Sequence, residues 1–366
     1  MKSLQKGHRQ MTYSKIPFQP SEMQSEEVYQ LPFPGAPGIL KPRYPISPEE
    51  NLRRTIAGEP VWIPSDTELS LFAPATVFEN VTRGMVIDAK RIPPEEFGGK
   101  DYFGVEWVYV PEQRGSMVKP GNPLMEEAGE WRDKIHFPDL SSWDWEDCAK
   151  RNAPLLNQGR MIKTPLFTGF FERLVSFMDM QGALIALIDE DQQEDVKELF
   201  DRLADFYIKL IGCMRNYFHV DIVWFHDDWG SQRAPMFSYD TVEEMILPSL
   251  KKVVDAVHAM GMIFEFHSCG NIETLVPLIV KAGADLWDGQ EMNDKISLSH
   301  TCKGKLTIEV EPQIRPEMTE EEIRSYIKTL LDQYAPGIAL GKTFKGDPRV
   351  TPIAYEESRK KYGRLS

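Results

Sequence analysis

Met262-Ile-Phe-Glu-Phe-His-Ser-Cys-Gly-Asn271 is the stretch whose reading decides the fold. A short apolar run that ends in a burst of titratable, metal-binding groups has the form of a buried strand finishing at a site. Side chains alternate along a strand, so Glu265, His267 and Cys269 share one face, and Phe264, Phe266 and Ser268 share the other. Upstream, Asp221-Ile-Val-Trp-Phe-His-Asp-Asp-Trp-Gly230 has the same form and ends in His226, Asp227 and Asp228, with a helical stretch from Thr241 to Met260 between the two. Strand, loop, helix, strand is the unit of a parallel α/β fold. Polar clusters at the carboxyl ends of successive strands mark the active-site face of a (β/α)8 TIM-type barrel. In such a barrel the phenylalanines pack outward against helices, and the carboxylate, imidazole and thiol look inward. That placement is costly unless the groups are hydrogen-bonded or bind something. His-x-Cys on one face brings nitrogen and sulfur to a single borderline-soft ion such as zinc. The competing structural reading is a hydrogen-bonded core histidine beside an inert cysteine.

The chain of 366 residues is long enough for one large barrel, and its aromatic content supports a sizeable core. A net charge of −14 argues against nucleic acid or an anionic membrane as partner. The four cysteines, Cys148, Cys213, Cys269 and Cys302, lack the spacing of a disulfide scaffold. The opening residues lack the apolar core of a signal peptide, and no apolar run is long enough to span a bilayer. These features lead us to expect a soluble, cytoplasmic protein with reduced thiols; self-association into a homodimer is left open.

Residues 1–48, with Leu31-Pro-Phe-Pro-Gly-Ala-Pro-Gly38, read as an extended arm. Its aromatics Tyr13, Phe18, Tyr29 and Phe33 favour its lying across a surface. Residues 49–366 read as a single barrel domain, in which 70–155 form an irregular, aromatic-rich insertion over one end. Pro60-Val-Trp-Ile-Pro64 is expected as the first barrel strand, and Lys163-Thr-Pro-Leu-Phe167 as the next, followed by Phe170, Phe171, Glu172 and Arg173 at its end. From Glu190 to Phe218 the apolar positions follow helical spacing, with Cys213 on the stripe. Ala284–Gln290 reads as a strand ending in Asp288, Gln290 and Glu291. Leu306-Thr-Ile-Glu-Val-Glu311 alternates Leu306, Ile308 and Val310 against Thr307, Glu309 and Glu311, which sets both glutamates toward the barrel mouth. Pro336–Phe344 is the last strand.

His267-Ser-Cys-Gly-Asn, Leu275-Val-Pro-Leu and Ala282-Gly-Ala-Asp together resemble the uroporphyrinogen decarboxylase superfamily. Asp228-Trp-Gly-Ser-Gln, Ser238, Pro248, Gly169-Phe-Phe-Glu-Arg, Asp101-Tyr-Phe-Gly-Val-Glu-Trp and Thr351-Pro extend the resemblance over most of the chain beyond residue 48. It implies a (β/α)8 barrel with its site at the carboxyl ends of the strands. The decarboxylases themselves carry Arg-Gln-Ala-Gly-Arg after the first strand; here Ser65-Asp-Thr-Glu68 stands in its place. An acidic mouth repels a substrate with many carboxylates, which sets porphyrinogen decarboxylation aside. The other branch holds methyltransferases that work with corrinoid proteins. Its thiol members bind zinc through His-x-Cys and a third cysteine after the last strand. His267 and Cys269 match the first two, but Gly341-Lys-Thr-Phe-Lys-Gly-Asp-Pro348 carries no cysteine.

The resemblance thus implies methyl transfer from a methyl ether, aromatic ones included, or a similar donor to the cobalt of a partner corrinoid protein. No Asp-x-His-x-x-Gly corrinoid motif is present, so cobalamin is expected on that separate partner. A methyl group on oxygen leaves only when the oxygen is stabilised by a proton or a Lewis acid. The expected site has His267 and Cys269 as zinc ligands, completed by Glu265 or, in its place, Glu309 or Glu311, with Cys302 and His300 as weaker candidates, and His226, Asp227 and Asp228 as catalytic groups. Trp229, Arg233, Phe170, Asp288 and Glu311 are expected to bind the donor. Two alternatives stand beside this: a metal-independent decarboxylase or lyase of the same superfamily, and a non-catalytic docking subunit.

Overall fold

The computed structural model describes residues 13–29, 38–77, 82–112, 115–343 and 346–364; Phe33, expected on the arm, lies outside them. Seven parallel strands form one curled sheet: β1 (Leu69–Leu71), β2 (Met161–Leu166), β3 (Ile222–His226), β4 (Ile263–Ser268), β5 (Leu286–Gly289), β6 (Thr307–Val310) and β7 (Ile338–Leu340). Each pairs with its neighbour in sequence order. Leu340 bridges Ser65 in parallel and donates its N–H to the Pro64 carbonyl at 2.8 Å. The Pro64–Ser65 segment therefore closes the ring, and the chain is a (β/α)8 barrel.

The stretch expected as the first strand, Pro60–Pro64, is not a regular strand, and the reason is local. Its prolines have no N–H for a ladder. The Asn51 side chain, on α1 (Pro48–Ile56), accepts from Val61 N–H at 2.9 Å and Trp62 N–H at 3.2 Å and donates to the Trp62 carbonyl at 3.0 Å. Ser358 Oγ accepts from Ile63 N–H. Side chains thus meet the backbone groups that a neighbouring strand would otherwise satisfy.

Inside the barrel, side chains lie in layers, as alternation requires. Met161, Ile222, Ile263 and Leu286 form an apolar plug with Leu52 near the amino-terminal end. Above it lie Lys163, Trp224, Glu265 and Glu309, and above these His226, His267 and Asp288. The opposite faces, with Val223, Phe225, Phe264 and Phe266, are fully buried in the main core.

The segment between β1 and β2 holds a small antiparallel sheet (Gly99–Lys100, Glu106–Val110 and Gly115–Val118) and α2 (Trp145–Leu156). Asp101 ties it down by accepting from the N–H groups of Phe103 and Val105, from Trp107 Nε1 and, at 2.6 Å, from Arg173 on α3 (Phe170–Ala186). Phe103 packs on Phe137, Phe177 and Phe206. The aromatic richness of this segment is thus used in packing against α3 and α4 (Gln193–Phe218). Pro248 does not break the helix that contains it. A π-turn at Val242–Ile246 leads straight into α5 (Leu247–Ala259), and a widened turn is how a helix absorbs proline's missing donor and its ring.

The described part of the arm is fastened to α6 (Val350–Tyr362). Arg359, fully buried, holds both carboxylate oxygens of Glu22 at 2.8 Å, and Tyr355 donates to Glu22 at 2.6 Å. No described helix is long and apolar enough to cross a membrane. The Asn51 clamp makes a direct prediction. Asn51→Ala leaves two buried N–H groups unpaired, which should lower the unfolding free energy by roughly 2–4 kcal/mol. Chemical denaturation measures this.

Candidate functional site

The site begins with strand register. Asp288 on β5 pairs with His267 on β4, and both side chains face inward. His267 Nδ1 and Asp288 Oδ2 are 3.0 Å apart, which directs Nε2 away from β5. Nε2 stands 3.4 Å from Cys269 Sγ and 3.8 Å from Asp228 Oδ1. The chain turns back at Gly270, whose φ of 83° suits glycine, and a Cβ there would lie 2.2 Å from the backbone of Gly230. This close crossing of the two loops brings Cys269 to Asp228, whose Oδ1 accepts the Cys269 N–H at 2.7 Å. Donor atoms of Asp228, His267 and Cys269 all lie within 4.8 Å of one another.

Beneath this mouth lies a buried layer of charge. Lys163 Nζ bonds Glu265 at 2.5 Å, stands 3.8 Å from Glu309, and lies 4.5 Å from the centre of the Trp224 ring. Burial would lower the Lys163 pKa, but Glu265, Glu309 and Asp288 outweigh it and raise it. Burial raises Glu265 against the pull of Lys163, and pushes Glu309 up to about 8. Burial would also neutralise His267, but the charge and hydrogen bond of Asp288, together with Cys269, hold its pKa well above the ordinary value. Asp288 is held well below the carboxylate range: burial opposes this, and His267, Lys163 and Lys342 overcome it. His226 goes the other way, lowered by burial and by the charge of His267. Its ring sits 4.3 Å from that of Trp224, 4.4 Å from His267 and 4.8 Å from Phe167, and its Nε2 is buried without a hydrogen-bond partner among the described residues.

Several expected site residues have other places. Glu265, expected as the third metal ligand, is paired with Lys163 one layer deeper; Asp228 is the carboxylate beside His267 and Cys269. Asp227 is fully buried and accepts the N–H groups of Phe171 and Glu172 at the start of α3, where the helix dipole favours a carboxylate, while burial pushes its pKa up to about 6. It anchors a helix. Trp229 is fully buried against Phe266 and donates its indole N–H to Asp227. Phe170 packs outside the sheet on Phe200, Tyr207 and Phe225. Arg233 is exposed on the loop after β3. Asp288 supports His267 from the neighbouring strand, and Glu311 stands on the rim, paired with Lys342 at 3.0 Å.

Two residues escaped the sequence reading. Lys163 lies on β2 among apolar neighbours, and alternation alone would have turned it inward. Glu172, in the first turn of α3, accepts the Asp228 N–H at 3.3 Å, and burial and the charges of Asp228 and Asp227 raise its pKa well above the usual value.

The sequence matches no family model and no curated protein. Among solved structures, a methyltransferase from Methanosarcina mazei is similar over 87% of this chain and 99% of its own, with a TM-score of 0.56 and 13% identity. A sugar phosphate isomerase/epimerase from Parabacteroides distasonis covers 61% of this chain and 82% of its own at a TM-score of 0.30 and 12% identity. The first likeness shows the barrel fold; the second is too distant to carry an argument.

The His267–Asp288 pair should leave a pH signature in metal-free protein. Asp288, with its pKa depressed, stabilises above the unfolded aspartate value and loses this as pH falls through its folded pKa. His267, with its pKa raised, stabilises fully below the unfolded histidine value and loses this as pH rises through its folded pKa. The stability advantage of the wild type over Asp288→Asn should therefore be full between about pH 4 and pH 6.5 and decline on both sides. Urea melts across that range measure it.

Proposed function

We propose that this chain is a methyltransferase of a corrinoid-dependent system, moving a methyl group from a methyl ether or similar donor to the cobalt carried by a separate corrinoid protein. The observation that carries the reading is the convergence of imidazole, thiol and carboxylate at the barrel mouth, with His267 Nδ1 engaged by Asp288 so that Nε2 is turned toward Cys269 and Asp228. The His-x-Cys resemblance to corrinoid methyltransferases supports it. The barrel shared with a protein described as a methyltransferase agrees with it.

The donor set fits zinc: one nitrogen, one sulfur and one oxygen leave a position open for a substrate atom, as catalytic zinc sites do. When bound, the ion would supply Lewis acidity to the donor's heteroatom. The chain's own residues do the rest. Asp288 holds the ring orientation of His267, as outer partners of metal-bound histidines do. Phe167, Trp224 and His226, their rings tilted by 57–59° to one another, cluster beside His267 and offer aromatic surface to an unsaturated donor. Glu172, whose carboxylate accepts the Asp228 N–H, is an acid adjoining this donor set.

Cob(I)alamin methylation screened over methoxylated aromatics, methylamines and thiols tests the reaction, with zinc measured in parallel. His267→Ala and Cys269→Ala should lose bound zinc and lose more rate than the roughly 10–100-fold expected for an outer partner such as Asp288→Asn. Full activity in both ligand variants, or full turnover of metal-free protein, would overturn the assignment.

A further inference from the structure

The residue that follows Cys269 is held from outside its own loop. Both backbone groups of Gly270 are met by side chains from the segment after β5. Its N–H donates to Gln290 Oε1 at 2.9 Å, and its carbonyl accepts from Asn293 Nδ2 at 3.0 Å. Asn293 reaches further along the turn, where its Oδ1 accepts the Ile272 N–H at 2.9 Å. Its amide nitrogen also donates to the Gln290 carbonyl at 2.8 Å. Both donors and the oxygen of this side chain are therefore engaged, all by backbone groups, and the residue is only 4% exposed. A buried amide satisfied from two loops at once fixes the distance between them.

The other side of the turn is fixed as well. Asn271 donates its N–H to the Ser231 carbonyl at 2.8 Å, on the loop after β3, and Asp294 donates its N–H to Glu273 Oε2 at 3.1 Å. The loops after β3, β4 and β5 thus meet around Gly270. Cys269 donates its own N–H to Asp228, so the thiol lies between a carboxylate from one neighbouring loop and a turn gripped by the other.

We infer that Asn293 is a positioning residue for Cys269: by clasping Gly270 and Ile272 it sets the thiol beside His267 and Asp228 before any ion arrives. Ligands on loops keep a productive geometry only when the residues behind them are locked by hydrogen bonds and packing. The role presumes the proposed zinc site for its purpose, but the placement of the thiol can be read without metal.

Thiol labelling of the full, metal-free chain with iodoacetamide, resolved by peptide mass, provides the test. Cys148 and Cys302 are buried and report on opening of the whole fold. In Asn293→Ala, Cys269 should label about tenfold or more faster than in the wild type, while Cys148 and Cys302 keep their wild-type rates. Gln290→Ala, which removes one bond of the clasp, should shift Cys269 in the same direction by less. Zinc titration of the same proteins should show Asn293→Ala binding about tenfold or more weakly, the loss expected when outer support of a ligand is removed. Unchanged Cys269 labelling in Asn293→Ala, acceleration of all three cysteines together, or equal zinc affinity beside a wild type that binds the ion would overturn the inference. A wild type that binds no zinc, with the selective change at Cys269 still present, would remove the metal assignment and leave the clasp standing.

Discussion

The bond between His267 Nδ1 and the Asp288 carboxylate is the constraint on which the rest of the site depends. Imidazole has two nitrogens, and only the one left free can serve the mouth. Strand register puts Asp288 directly beside His267, so β5 decides which face of the ring β4 presents. Bringing that carboxylate into the barrel is costly unless it is compensated. His267 beside it and Lys163 below provide the compensation, and Lys163 also serves Glu265 and Glu309. The polar interior is therefore one connected unit, an apolar plug at one end and an open ligand set at the other.

Much of this was legible in the sequence because strand alternation is a strict rule. The inward face of β4 and the opposed faces of β6 follow from period two alone, and the structure has Glu265, His267 and Glu309 where that rule puts them. What alternation does not reveal is the partner. Glu265 faces inward as expected, but Lys163 on a different strand takes it, and Asp228 from the loop after β3 moves up to Cys269 instead. Asp227 and Trp229 sit beside Asp228 in sequence, yet they point into the layer behind the sheet and fasten the start of α3. Loop residues have no period, so their directions depend on close approaches such as that of Gly270 to Gly230.

The same limit explains the two clearest departures in the fold. Pro60–Pro64 has a strand-like composition, but Asn51 on the preceding helix and Ser358, remote from it in sequence, satisfy its backbone. The aromatic-rich insertion between β1 and β2 carries no period that shows where it packs, and Asp101 with Arg173 locks it onto the outer helices. A barrel fold hosts many chemistries, and a fold-level likeness at 13% identity leaves function to the residues at the strand tips. There a carboxylate, Asp228, lies beside His267 and Cys269, and under the proposed reading it stands in for the third thiolate of the zinc–thiolate pattern that the sequence resembles.

X-ray absorption at the zinc edge of zinc-loaded protein tests that ligand set most directly. One sulfur at about 2.3 Å and a remaining shell of nitrogen and oxygen are expected. Two or more sulfurs in the shell, or none, would contradict it.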